Sequence, residues 1–225
     1  MRPLPRSIPS RAFPALLALA AVLVGGARCE VTTAPSAGVS GDPGLPAAAP
    51  SGNYAQQLAA LKVAAKGSMS GYSRERFPHW ISQGNDCDTR DVVLKRDGTN
   101  VKATATCKIT SGTWVSPYDN KTYTDPQQLD VDHMVPLAEA WRTGASKWTD
   151  DQRTQFANDL TRPQLVAVSL SQNRSKGDQD PSQWLPPNHA YWCTYAQRWI
   201  AVKAYWQLTV TLSEKATLAD LLGAC

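Results

Sequence analysis

Asp130-Val131-Asp132-His133-Met134-Val135-Pro136 is the stretch whose reading decides the fold of this chain. Leu129 to Val135 alternates as a short strand, and Pro136 ends it by removing a backbone donor. The strand carries an aspartate next to a histidine, a hard oxygen donor beside a group that titrates near working pH. Further on, Leu165 to Leu170 forms an apolar, β-branched strand, and Ser171-Gln172-Asn173-Arg174-Ser175-Lys176, with Asn173 forty residues after His133, opens a basic helical turn with Ser171 as its cap. Midway sits Asn158, in Phe156-Ala157-Asn158-Asp159-Leu160. Neighbouring strand residues point to opposite faces, so Asp132 and His133 can serve one site only if the strand end twists or bulges there.

These positions resemble those of an HNH endonuclease of the ββα-metal (His-Me finger) superfamily. That likeness implies phosphodiester hydrolysis with one divalent metal. His133 is then the general base, and Asp132 and Asn173 supply hard oxygen ligands to Mg²⁺ or Mn²⁺. Asn158 matches the middle Asn, which braces the loop carrying the base; Asp159 takes its place if the alignment slips by one. Lys176, three residues past Asn173 on one helical face, is expected to approach a phosphate or to be a solvated surface lysine. Cys87 to Arg90, Ser111 to Tyr118, Pro136 to Trp141 and Trp184 to Pro187 extend the resemblance to a bacterial secreted subfamily, covering roughly Tyr72 to Cys225. Arg90 can reach a substrate phosphate or pair with Asp88 or Asp91. Glu139 is a partner for His133, an extra ligand or a plain surface glutamate. His79 and His189 lack motif context and are read as non-catalytic. The fold class implied is α+β, a small ββα-metal unit packed on helices with a disulfide-pinned β-hairpin.

Arg2, Arg6 and Arg11 precede an apolar run, Ala12 to Val24, too short to span a bilayer, and Gly25 and Ala27 prepare a cleavage site. Residues 1–29 therefore read as a secretory signal peptide, with a lipoprotein signal acylated at Cys29 as the alternative. Residues 30–52 are rich in Ala, Pro, Gly and Ser and read as a flexible linker. All eight Trp fall in residues 53–225, one domain's worth of chain. Four of the 23 basic residues lie before Glu30, so the remainder carries 19 of each sign. Nucleic-acid binding must then come from a local basic patch and be salt-sensitive.

Cys29 aside, Cys87, Cys107, Cys193 and Cys225 form an even set, suited to two disulfides in an exported chain. Asp91 to Arg96 and Val101 to Ile109 read as strands around an Asp97-Gly98 turn, which would bring Cys87 opposite Cys107. Cys193 and Cys225 close a helical hairpin of Tyr191 to Trp206 and Ser213 to Ala224. A four-cysteine zinc site is the competing reading and lacks any Cys-x-x-Cys pair. Helices are also expected over Asn53 to Lys66 (stopped by Gly67), Leu137 to Trp141 and Gln152 to Leu160, and an irregular segment over Thr113 to Pro126. Trp199 and Trp206 fall on an apolar helical stripe and read as core rather than as a base-stacking platform.

The function expected is a secreted, metal-dependent endonuclease of low sequence specificity, acting on DNA or RNA, with no transmembrane segment in the mature chain and a monomeric state favoured. Two rivals stay open: a catalytically silent extracellular nucleic-acid-binding protein, and a secreted hydrolase working through carboxylates such as Glu139 and Asp132.

Overall fold

A computed structural model describes residues 54–225. The signal and linker expectations for 1–29 and 30–52, Cys29 with them, lie outside the described residues. The first helix, α1 (Tyr54–Ala60), buries Tyr54 and Leu58. It ends well before Gly67. Val63 bridges Val210 in parallel, and the bonds Ala64 N to Val210 O and Val210 N to Lys62 O draw the backbone out of the helix.

Two short strands, β1 (Ser82–Gly84) and β2 (Cys87–Asp88), lead into α2 (Thr89–Asp97). This helix replaces the expected strand over Asp91 to Arg96. Asp88 caps it by accepting from Asp91 N, and the Asp91 side chain returns the bond to Asp88 N, so two otherwise orphaned donors are satisfied. The hairpin lies further on, between β3 (Thr99–Ala103) and β4 (Ile109–Ser116), and β4 continues into β5 (Lys121–Tyr123). Half of the segment expected to be irregular is thus sheet, with Trp114 opposite Tyr123. Cys87 is bonded to Cys107, so the disulfide ties the entry of α2 to the β3–β4 turn rather than joining two paired strands.

The strand β6 (Leu129–His133) pairs antiparallel with β7 (Leu165–Ser169), and α5 (Leu170–Lys176) follows β7 directly. Ser169, not Ser171, stands at the N-cap of α5. Between the two strands come α3 (Leu137–Thr143) and α4 (Asp150–Ala157). The chain closes with α6 (Trp192–Tyr205) and α7 (Leu212–Gly223), joined by the Cys193–Cys225 disulfide. The class is α+β.

All five residues of β7 are buried, and they feed two apolar clusters. Val166 and Val168 join the helices, with Tyr195, Trp199 and Leu218; Leu165 and Ala167 join Val93, Leu94 and Trp114 on the other side. Strand β6 sends Leu129 and Val131 into the second cluster. On its other face, opposite Val168 and Val166, it carries Asp130 and Asp132. Two carboxylates stand where the pattern calls for apolar side chains. Burying charge there is costly unless it is paired, so the position marks a site rather than a scaffold.

Candidate active site

The β6–β7 register runs one to one through His133 opposite Leu165, without the expected bulge. Asp132 and His133 therefore leave the strand on opposite faces. They nonetheless flank one small cavity of about 190 Å³ at the strand's end, together with Asn173, Arg74, Tyr72 and Asp178. The strand stops at His133, so its tip can be approached from both faces.

His133 is 5 % exposed. One ring nitrogen, Nε2, lies 2.9 Å from the Ala157 carbonyl. A carbonyl can only accept, so Nε2 carries the proton and Nδ1 keeps its lone pair in the neutral ring. Burial pushes the His133 pKa down to about 3, aided by Arg74, His79 and Lys176 and opposed by the Ala157 bond. Trp80 stacks on the ring, with centroids 5.5 Å apart. Trp80 does so with φ of 59°, a left-handed conformation that costs a bulky residue roughly 1–3 kcal/mol.

Asn158 holds the end of α4 that receives His133. Its amide donates to Pro78 O and Thr154 O, and its oxygen accepts from Ile81 N and Thr89 Oγ1. All four positions are used, which leaves it nothing to offer a metal. Asp159, its neighbour, accepts from Thr161 N, Arg162 N and Trp206 Nε1, and so caps a turn.

Asp132 is engaged from two sides. Lys176 Nζ donates to Oδ1 at 3.0 Å and Oδ2 at 2.8 Å, and Tyr118 Oη donates to Oδ2 at 2.5 Å. The third Lys176 bond goes to His133 O at 2.8 Å. Lys176 has no exposed surface, which corrects its expected role: it does not face a phosphate but clamps the strand end from within. Burial raises the Asp132 pKa against the pull of Lys176, and burial lowers that of Lys176 against the pull of Asp132. Asn173 donates from Nδ2 to Asp130 Oδ2 at 2.9 Å, and no described side chain donates to its amide oxygen.

Two further expectations are corrected. Arg90 lies outside the cavity and donates to Pro126 O and Leu129 O, where it anchors the start of β6; it pairs with neither Asp88 nor Asp91. Glu139 is fully buried and bound to Lys66 at 2.8 Å and Lys203 at 3.0 Å, so it is neither a surface residue nor a partner of His133. Its fixed pairing also removes it from any carboxylate-based hydrolysis. His189 stacks on Trp192 away from the cavity, and His79 sits 6.2 Å from His133 with Nδ1 on Phe77 O.

The residue types fit a hard cation: carboxylate and amide oxygens, with no sulfur among the cavity's side chains. Asp132 Oδ1 carries a single hydrogen bond, and the Asn173 oxygen is free of described donors. Lys176 already balances the charge of Asp132, so a cation there would be held weakly.

A family model described as "GmrSD restriction endonucleases, C-terminal domain" matches residues 88–221, more than half of the chain. The chain belongs to that family. A protein of Arthroderma benhamiae named "Uncharacterized secreted protein" is 50 % identical over 177 residues, which cover 78 % of this chain and 87 % of that protein. This relative comes from a fungus, where the sequence resemblance pointed to a bacterial subfamily. No solved structure matches the chain.

The GmrSD-type region begins at Asp88, yet Tyr72 and Arg74 line the cavity and Trp80 covers His133. Sequence reasoning missed these residues, because nothing local to Tyr72–Trp80 carries a motif. Asp130 was missed as well, although its place two residues before Asp132, on the same strand face, was a signal that could have found it.

Proposed function

We propose that the chain is an exported endonuclease that hydrolyses phosphodiester bonds of DNA or RNA with little sequence specificity. In this reading β6, β7 and α5 form the ββα-metal unit, and Asp132 and Asn173 hold one Mg²⁺ or Mn²⁺. The observation that carries the reading is the His133 ring, fixed through Nε2 on Ala157 O so that the basic Nδ1 is left for a water at the cavity. Water loses a proton to Nδ1 as its oxygen attacks phosphorus. The P–O3′ bond breaks, and the departing oxygen takes a proton from solvent. The divalent cation, when bound, supplies charge stabilisation to the phosphoryl oxygens. Arg74, exposed at the cavity, contributes a guanidinium suited to the same oxygens, and the incoming phosphate would raise the proton affinity of His133 from its low resting value. Asp130 orients the Asn173 amide.

Export is supported by the two disulfides and by the printed name of the fungal relative. Among the described residues no helix is long and apolar enough to cross a membrane. A second reading, a catalytically silent nucleic-acid binder, draws support from Lys176 occupying Asp132.

Plasmid DNA incubated with the purified protein and magnesium separates the two. Nicking that EDTA stops, and that His133→Ala lowers on the order of a hundred-fold or more, supports the proposal. Equal cutting in excess EDTA removes the metal from it. Uncut plasmid under all conditions leaves the silent binder.

A further inference from the structure

A second, larger cavity of about 710 Å³ opens where α3 ends and α6 finishes. Its charged lining is wholly basic: Lys62, Arg142 and Lys147, with no carboxylate among the lining residues. Lys62 and Lys147 are exposed and form no ion pair with a described residue. In a chain whose charges balance from Glu30 onward, this is a local excess of one sign. Trp148, Tyr205 and Trp206 line the same groove, with ring centroids 5.3 Å apart between the two tryptophans and 5.4 Å between Tyr205 and Trp206. Tyr205 is 53 % exposed, with the Arg162 guanidinium over its ring at 3.5 Å from the centroid, a further positive charge beside the groove. Trp199, by contrast, is fully buried in the helical core. Trp206, packed on the core against Phe156 and donating to Asp159, also lines the groove, and Tyr205 beside it is the ring the groove exposes most.

The groove adjoins the His133 cavity. Helix α3 has Leu137 and Ala138 on the cavity and Arg142 and Thr143 on the groove. The five-residue step from Leu137 to Arg142 is roughly 8 Å at the helical rise. Arg142 donates to Asp178 O at 2.8 Å and pairs with its carboxylate at 3.0 Å, and Asp178 lines the His133 cavity. One exposed ion pair marks the boundary.

We propose that this groove binds a single-stranded stretch of nucleic acid, with Lys62 and Lys147 against backbone phosphates and bases stacked on Tyr205 and Trp206. Positive charge with aromatic faces is the chemistry that holds a strand without regard to sequence. Because Arg142 on the groove is paired with Asp178 on the cavity, a strand lying in the groove runs up to the His133 cavity. That continuity rests on the nuclease reading, whereas the binding does not.

The test measures binding without cleavage. The full chain carrying His133→Ala is titrated in EDTA against a fluorescein-labelled single-stranded 20-mer, by anisotropy, at several salt concentrations. Adding Lys62→Glu and Lys147→Glu should weaken binding at least ten-fold and flatten the log–log salt slope by about 1.4, two phosphate contacts at about 0.7 each. Lys62→Arg with Lys147→Arg should restore both. Tyr205→Ala should weaken binding about five-fold with the slope unchanged. Unchanged affinity and slope in a charge-reversed protein that melts like its parent would overturn the proposal. If the unmodified protein leaves plasmid uncut while the charge reversal still weakens strand binding, the nuclease reading falls and the groove stands. If plasmid is cut and charge reversal changes nothing, the groove falls alone.

Discussion

An ammonium with no exposed surface and three acceptors cannot lose its carboxylate without being left charged in an apolar setting. Asp132→Ala should therefore destabilise the fold by about 3–5 kcal/mol in urea denaturation, because Lys176 stays buried and unpaired. Asp132→Ala combined with Lys176→Met should recover most of that loss, and a double variant no more stable than the single would show that the pair is not what holds the strand end. Loss of activity in Asp132→Ala alone thus cannot identify a metal ligand; the Asn173→Ala variant is the cleaner probe. His133 gives a pH signature. Its folded pKa of about 3 lies below the unfolded value of 6.5, so the unfolded chain binds the extra proton between those limits. Its contribution is complete above about pH 6.5 and is lost progressively as pH falls toward 3. Unfolding free energies measured at pH 7 and pH 4.5 should differ more for the wild type than for His133→Gln; equal differences would mean the ring titrates normally. Asp132, His133 and Asn173 could be singled out in sequence by residue type and spacing, and the structure sets all three on one cavity. The role of Lys176 was not legible, since a lysine on a short helix reads as solvated until Tyr118 and Trp199 enclose it from other elements.

Elements show the same division between local and distant information. Strands β6 and β7 and helices α3 to α7 were legible: α6 and α7 by their apolar stripes, β7 by its β-branched run, and α5 by the polar turn that follows it. Helix α2 was misread as a strand: Val92, Val93 and Leu94 followed by Asp97-Gly98 make a strong hairpin signal. The decisive signal lay upstream, in the Asp88 and Asp91 pair that caps a helix. Asp88→Ala should cost about 1 kcal/mol, the usual worth of a cap, whereas Asp88→Asn should cost only tenths. The disulfide was placed on a misassigned hairpin, yet the same cysteines meet because Cys87 precedes α2 and Cys107 sits in the β3–β4 turn. Cys193 and Cys225 are 32 residues apart, a separation for which loop closure is worth about 3–4 kcal/mol. Replacing both with alanine should lower the unfolding free energy by that amount in denaturant titration. A change under 1 kcal/mol would mean that the packing of α6 on α7 already confines the unfolded ensemble.

Across the whole molecule, a buried ion-pair group links segments far apart in sequence. Lys203 donates to Glu139, Glu214 and Thr209 O, while Lys66 joins Glu139 to Asp180. The carboxylates of Glu139, Asp180 and Glu214 lie close enough to hold a metal, but Lys66, Lys203 and Arg142 already supply three positive charges against their three negative ones. No sequence rule pairs residues this distant, so Glu139 could not be assigned before the structure. Lys203→Ala should cost about 3–5 kcal/mol by leaving Glu214 buried without a cation while Glu139 keeps Lys66, which thermal or urea unfolding will report. The interruption of the β6–β7 pair has a different kind of consequence. His133 meets Leu165, and Leu129 meets Ser169, only after α3 and α4 have been gathered between them. Closing that loop carries its entropy cost before the ladder can form. The cavity does not exist until then. On the proposed reading, a chain that has not yet paired β6 with β7 holds no site at which nucleic acid could be cut.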